Sequence, residues 1–161
     1  MKDLCAHFGK EVLRDIPESE FFAKLSAIRH KVSDRAILRA IHLYQENRRV
    51  QKQAKALKEN DFATFLELVK ESGRSSWMYL QNITPAGYIE HQDMALALAM
   101  CDTLLHGRGA FRVHGGGFAG TVQAFVPTDM LDDFKAGIET VFGKDSCHVL
   151  SVRSDGGIRV R

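Results

Sequence analysis

No apolar run in this sequence approaches the ~20 residues that a membrane-spanning helix needs, and the N-terminus lacks the charged, apolar, small-residue order of a secretory signal. A cytoplasmic protein without membrane contact is therefore expected. Cysteine is scarce: Cys5, Cys101 and Cys147 are widely spaced and form no C-x-x-C pair. That excludes a disulfide framework and a zinc site as working expectations and leaves reduced thiols as the default. An excess of one charge sign is also missing. Lys and Arg number 22 against 20 Asp and Glu, a net charge of +2, with no block of like charges. Such a balance gives no footing for nucleic acid.

Catalytic signatures are absent too. The seven histidines are scattered and never form H-E-x-x-H, so no metal is assigned. Neither G-x-S-x-G nor the P-loop pattern occurs. Ser75-Ser76 has no identifiable His or acid partner, and Asp132-Asp133 falls on a helix where paired acids are solvated. None of the cysteines sits in a basic, glycine-rich setting that would activate a thiol. No catalytic side chain is assigned.

What is present is one unusual stretch, Gly109 to Val126. A β-branched and aromatic run, Ala110 to Val113, enters a cluster of glycines, and a second run, Thr121 to Val126, leaves it. Both read as strands. Four glycines in six residues, Gly115, Gly116, Gly117 and Gly120, allow positive φ and close backbone approach. Gly115, Gly117 and Gly120 also match G-x-G-x-x-G, but a dinucleotide site needs a helix after the glycines. A strand follows here, so that function is set aside. A two-residue turn would need fewer glycines, which makes this loop the candidate binding element.

At 161 residues, 45% hydrophobic and 26% charged, the chain suits one soluble domain with its own core. A short helix over 2–8 stops at Gly9, and another segment follows Pro17. Ser33 caps a long helix from Asp34 to about Lys58. Ala36, Ala40, Leu43, Asn47, Val50, Ala54 and Leu57 share one of its faces. Beside them runs a polar stripe, Arg39, His42, Glu46 and Arg49, which is either a surface salt-bridge ladder or a docking face. Asn60-Asp61 caps a third helix that Gly73 weakens, and Trp77 to Leu80 forms a further turn packed into the core. Thr84-Pro85 reads as a helix start. Met94 to Cys101 is apolar all round and reads as a buried central helix. Thr128 caps a last helix, Cys147 to Arg153 reads as a third strand, and Ile158 to Val160 as a short fourth. The order predicts an α+β fold, an antiparallel sheet covered by helices on one side after a helical N-terminal part.

Four landmarks resemble one family. Arg39-Ala-Ile-His42-Leu-Tyr-Gln-Glu46-Asn47-Arg48-Arg49-Val50 is similar to the R-A-x-H-x-x-x-E-x-x-R-V helix of galactokinases. Leu57-Lys-Glu-Asn-Asp61-Phe-Ala-Thr-Phe65 resembles their A-L-x-x-G-D-x-x-x-F segment. Glu71-Ser72 through Ser75 is close to their S-H-x-S-L. The run Gly109 to Gly120 resembles G-A-R-M-T-G-G-G-F-G-G-C, the third signature of the GHMP small-molecule kinases. The match spans roughly residues 8 to 153, in order and at sensible distances.

The resemblance covers only the C-terminal half of such a kinase. The first signature, with its catalytic arginine, the phosphate-wrapping second signature and the catalytic aspartate occur nowhere in these residues. The resemblance implies a GHMP C-terminal domain, a ferredoxin-like variant, serving ATP- and Mg2+-dependent phosphorylation of galactose. Most ligands to both cofactors would come from the N-terminal half of the same kinase. In that reading Gly115, Gly116, Gly117, Phe118 and Gly120 face the nucleotide, and Arg39, His42, Glu46 and Arg49 form an interdomain face. The isolated chain would be inactive and would pair as a homodimer through that stripe together with the Gly115–Gly120 loop. Departures from the pattern are Gly73 for histidine, Trp77 to Ile83 for R-D-D-Y-E-V-S, Ala119 for glycine and His114 for threonine. They keep two alternatives open: a kinase of another hexose or N-acetylhexosamine, or a non-catalytic regulatory module.

Overall fold

The computed structural model describes residues 1–118, 120–153, 156 and 158–159. Helices α1 (Lys2–Ala6), α2 (Glu18–Ala23) and α3 (Leu25–Ile28) are short and pack on the N-terminal half of α4 (Asp34–Lys58). Leu4, Ile16, Phe21, Ile28, Ile37, Ala40 and Tyr44 form their shared core. The Tyr44 hydroxyl donates to Ile16 O at 2.9 Å, which satisfies its polar end within that core.

The caps are where the residues require them. Ser33 Oγ accepts from Ala36 N at 3.2 Å and starts α4. Asp61 Oδ1 accepts from Thr64 N at 3.0 Å and starts α5 (Phe62–Ser75). The apolar face expected along all of α4 holds only at its start. Ala36 and Ala40 are buried, but Leu43, Val50 and Leu57 are exposed, because the second half of α4 rolls its other side against α5.

Strand β1 (Ala110–His114) pairs antiparallel with β2 (Thr121–Phe125), in register from Ala110↔Phe125 to His114↔Thr121. Phe111, Val113, Val122 and Ala124 face α6 (Asp93–Leu105) and α7 (Leu131–Phe142) across a core of Leu98, Leu105, Phe134 and Ile138. The opposite face meets α5: Phe125 stacks edge-on with Phe65 at 5.4 Å, and Gly73 lies against Arg112. The fold is α+β, as the element order predicts, but helices cover both faces of the hairpin, not one.

Other expectations are corrected. Gly73 does not weaken α5. A Cβ there would sit 3.0 Å from Arg112 Cβ, so the glycine lets helix and strand close up. Trp77 to Leu80 belongs to a π-helical turn (Ser76–Leu80) on which Trp77 and Met78 are exposed. Thr84-Pro85 starts no helix. Tyr88 N bonds Pro85 O at 3.2 Å and Gly87 has φ +86°, so this is a turn, and α6 begins eight residues after Pro85. Helix α6 is not buried all round, since Leu96 is exposed. Thr128 opens a 3-10 turn (Thr128–Met130) without capping α7 by its side chain. Cys147 to Arg153 is not a strand. Val149, Leu150 and Val152 are exposed, so this segment has β-propensity but no ladder partner among the described residues. Ile158 and Arg159 are not in a strand either, and Val160 lies outside the described residues.

Candidate functional site

The glycine loop joins β1 to β2, and its shape is set partly by the residues on which it rests. Gly115, Gly117 and Phe118 have φ of +71°, +79° and +61°. Glycine is required at one position by contact as well. A Cβ on Gly117 would land on the Asn82 carbonyl oxygen and lie 2.8 Å from Asn82 Cγ and Nδ2. Gly116 is different: a Cβ there meets nothing within 4 Å and its φ is ordinary, as is that of Gly120. Gly115 also meets nothing within 4 Å, so the loop presents open backbone at Gly115 and Gly116. Phe118 and His114 are exposed.

Two bonds tie the loop to the segment after the π-turn. Phe118 N donates to Asn82 O at 2.7 Å, and Asn82 Nδ2 donates to Gly116 O at 3.3 Å. Beneath them Ser76 Oγ donates to Asn82 Oδ1 at 3.1 Å. Asn82 and Ser76 are both buried. Beside them Trp77, Met78, Gln81, Ile83 and Thr84 line an open cleft. Local sequence reading could not find Asn82: its partner Gly116 is 34 residues away.

Most of the polar stripe of α4 turns inward. Only Arg39 is exposed; His42 and Glu46 are half-buried and Arg49 is buried. Glu46 Oε1 accepts from Arg49 Nη1, and Glu46 Oε2 accepts from Ser72 Oγ at 2.8 Å. Ser72 Oγ in turn accepts from Arg112 Nη1 at 2.5 Å. One carboxylate thus serves two guanidiniums, directly and through a serine, and locks α4, α5 and β1 together. Arg49 Nε faces Glu71 Oε2 at 3.5 Å, an ion-pair distance without a hydrogen bond. His42 Nδ1 lies 2.9 Å from Ser75 Oγ. Burial, and then the charges of Arg49 and Arg112, lower the His42 pKa below its ordinary value. Burial lowers that of Arg112, with Arg49 adding to it. The signal that could have found this cluster was Ser72, a small polar residue on the apolar side of α5.

Among the described residues no group of three or more His, Cys, Asp or Glu side chains is placed to hold a metal ion, and no helix is long and apolar enough to cross a membrane. No known family model matches the chain. Over 129 residues, 80% of the chain, it is 35% identical to the galactokinase of Haemophilus influenzae. The chain is galactokinase-like over most of its length. It spans 31% of that relative, so the comparison concerns about one third of the longer protein.

Proposed function

We propose that this chain is the C-terminal GHMP domain of a galactokinase-like sugar kinase, which transfers a phosphoryl group from ATP to galactose with Mg2+. The observation that carries the reading is the glycine loop. Its backbone is open at Gly115 and Gly116 while its far side is held on Asn82. The similarity to a galactokinase supports it.

The residues present fit part of the implied cofactor. Backbone without side chains at Gly115 and Gly116 can approach a phosphate or the phosphate-holding loop of another segment without steric conflict. No carboxylate occurs from His114 to Thr121, so magnesium would take its ligands from elsewhere in the protein. ATP supplies the transferred group. Such transfer depends mainly on positioning and electrostatics, and this chain's share is shape: Phe118 and Gly116 are fixed by hydrogen bonds, and the open glycines admit the phosphate side. The partner of the domain is the rest of the kinase. Of the polar stripe, only Arg39 is free to meet it, because His42, Glu46 and Arg49 bond within this chain.

The test is a coupled kinase assay on the 161-residue chain and on a protein joining it to the first and second signatures. The isolated chain should show no turnover, and the joined protein should phosphorylate galactose in preference to other hexoses. A joined protein that is folded, binds no ATP and phosphorylates no hexose refutes the reading. Turnover by the isolated chain that is lost on changing Gly117 refutes the division of labour.

A further inference from the structure

Asn82 is where three segments meet, and the path that brings it there is specific. Helix α5 does not simply continue. Gln81 N bonds Ser76 O, five residues back, at 3.1 Å, and Gln81 then turns left-handed at φ +52°. A π-turn carries one residue more per turn than an α-helix and shifts every later side chain around the axis. The left-handed residue then reverses the chain. Together they place Asn82 beneath the glycine loop, with Ser76 of the same turn holding its Oδ1. The amide is not satisfied by its own neighbourhood. Both its Nδ2 and its backbone carbonyl serve the loop, at Gly116 O and Phe118 N. The loop has need of such a hold. Phe118 sits at φ +61°, a conformation that an aromatic residue keeps only when its surroundings fix it.

We infer that Asn82 is a positioning residue, which sets the conformation of Gly115–Phe118 and through it the placement of the group that the open glycines face. The consequence for phosphoryl transfer rests on the kinase reading; the effect on the loop does not. Without the side chain, the Phe118–Asn82 backbone bond alone holds the loop between the hairpin ends, so it opens more often and the loop leaves its positive-φ conformation more readily.

The test has two arms. In the 161-residue chain, amide hydrogen exchange is followed by NMR for Asn82→Ala and for the isostere Asn82→Asp, which keeps an acceptor for Ser76 and loses the donor to Gly116. Loss of one net hydrogen bond corresponds to about fivefold in a local equilibrium. Exchange at the Phe118 amide should therefore rise about fivefold in either variant, while amides of α4 and of β1 at Val113 stay within about twofold. In the joined kinase, either variant should lower kcat about tenfold or more with the sugar KM nearly unchanged, the mark of a lost placement and not of lost substrate binding. Unchanged loop exchange overturns the proposal. So does equal acceleration throughout the domain, or failure of both variants to fold, since Asn82 would then be a determinant of the fold alone. Loop exchange that rises with kcat unaltered overturns the link to catalysis. If the unsubstituted joined protein is inactive, the kinase reading has failed, and the first arm still decides the role of Asn82.

Discussion

Substituting Gly117 and Gly116 by alanine, one at a time, separates steric need from mere composition. Neighbours in sequence, they differ in surroundings. At Gly117 the new Cβ falls on the Asn82 carbonyl oxygen and 2.8 Å from Cγ and Nδ2, where about 3.4 Å is the ordinary limit of contact. The loop must withdraw by about an ångström, and that strains two bonds, Phe118 N to Asn82 O and Asn82 Nδ2 to Gly116 O. Each is worth about 0.5–1.5 kcal/mol net. The φ of +79° adds about 1–2 kcal/mol for a residue with a Cβ. Since the loop can relieve the overlap by opening locally, these terms do not all add, and about 2–3 kcal/mol is the expected loss for Gly117→Ala.

For Gly116→Ala the same reasoning gives about 0.5 kcal/mol or less, because the Cβ meets nothing within 4 Å and φ is ordinary. Urea denaturation at fixed temperature reads both differences, provided the m-value is unchanged. For a chain of this size Gly117→Ala should lower Tm by about 4–12 °C. A Gly117→Ala protein as stable as the parent, or a Gly116→Ala protein the less stable of the two, refutes the contact argument.

Two further outcomes follow from the polar cluster. Glu46→Ala removes the partner of buried Arg49 and the acceptor of Ser72 at once, and should destabilise by about 3 kcal/mol, the low end for breaking a buried pair because Glu46 keeps some solvent contact; Glu46→Gln should cost less, and equal losses would remove charge as the cause. His42 has a folded-state pKa below its ordinary 6.5, so its contribution is fully present above that pH and declines as pH falls from there toward the folded value. Urea midpoints measured from pH ~7 to ~5 should fall less steeply for His42→Gln than for the parent, and parallel curves would refute the assignment.

The parts of the fold legible in sequence are those whose signals are local. Ser33 and Asp61 bond amides three residues on, so the starts of α4 and α5 need no tertiary knowledge. The strands β1 and β2 are bounded by the glycines themselves. Periodicity misleads along α4 because that helix has two neighbours. Its first half packs on α1–α3 and its second on α5, from different sides. A stripe chosen for apolar spacing therefore leaves Leu43, Val50 and Leu57 in solvent, while charged Glu46 and Arg49 turn inward. The segment after Cys147 has strand composition, but composition supplies no partner for its amides, and none pairs with it among the described residues. At the site, the glycines announce the loop. Asn82 stayed hidden because a π-turn, which no short-range pattern marks here, is what carries it to Gly116.

Helix α5 controls the loop by two routes, and this makes Gly73 a test of the whole arrangement. One route runs through its C-terminus, into the π-turn and on to Asn82. The other runs through Gly73, which lets α5 close on Arg112 and Phe111 of β1, the strand that enters the loop. A Cβ at 73 would lie 3.0 Å from Arg112 Cβ and 3.3 Å from Phe111 O, tighter than ordinary contact. Valine adds two methyl groups beyond that, and the strand cannot give way freely, since Val113 and Phe111 are packed against α6 on its other face. The helix must yield instead, and Asn82 moves with it while the hairpin stays. Gly73→Val should therefore destabilise by about 1–3 kcal/mol and, unlike an ordinary overpacking change, should loosen the Phe118 amide more than its loss of global stability accounts for. Gly73→Ala should show the same effect in weaker form, since a shift of a few tenths of an ångström accommodates one methyl. Hydrogen exchange together with urea denaturation reads both quantities on one sample. If Phe118 exchange follows global stability alone, α5 packs on the sheet without governing the loop, and the two routes are independent.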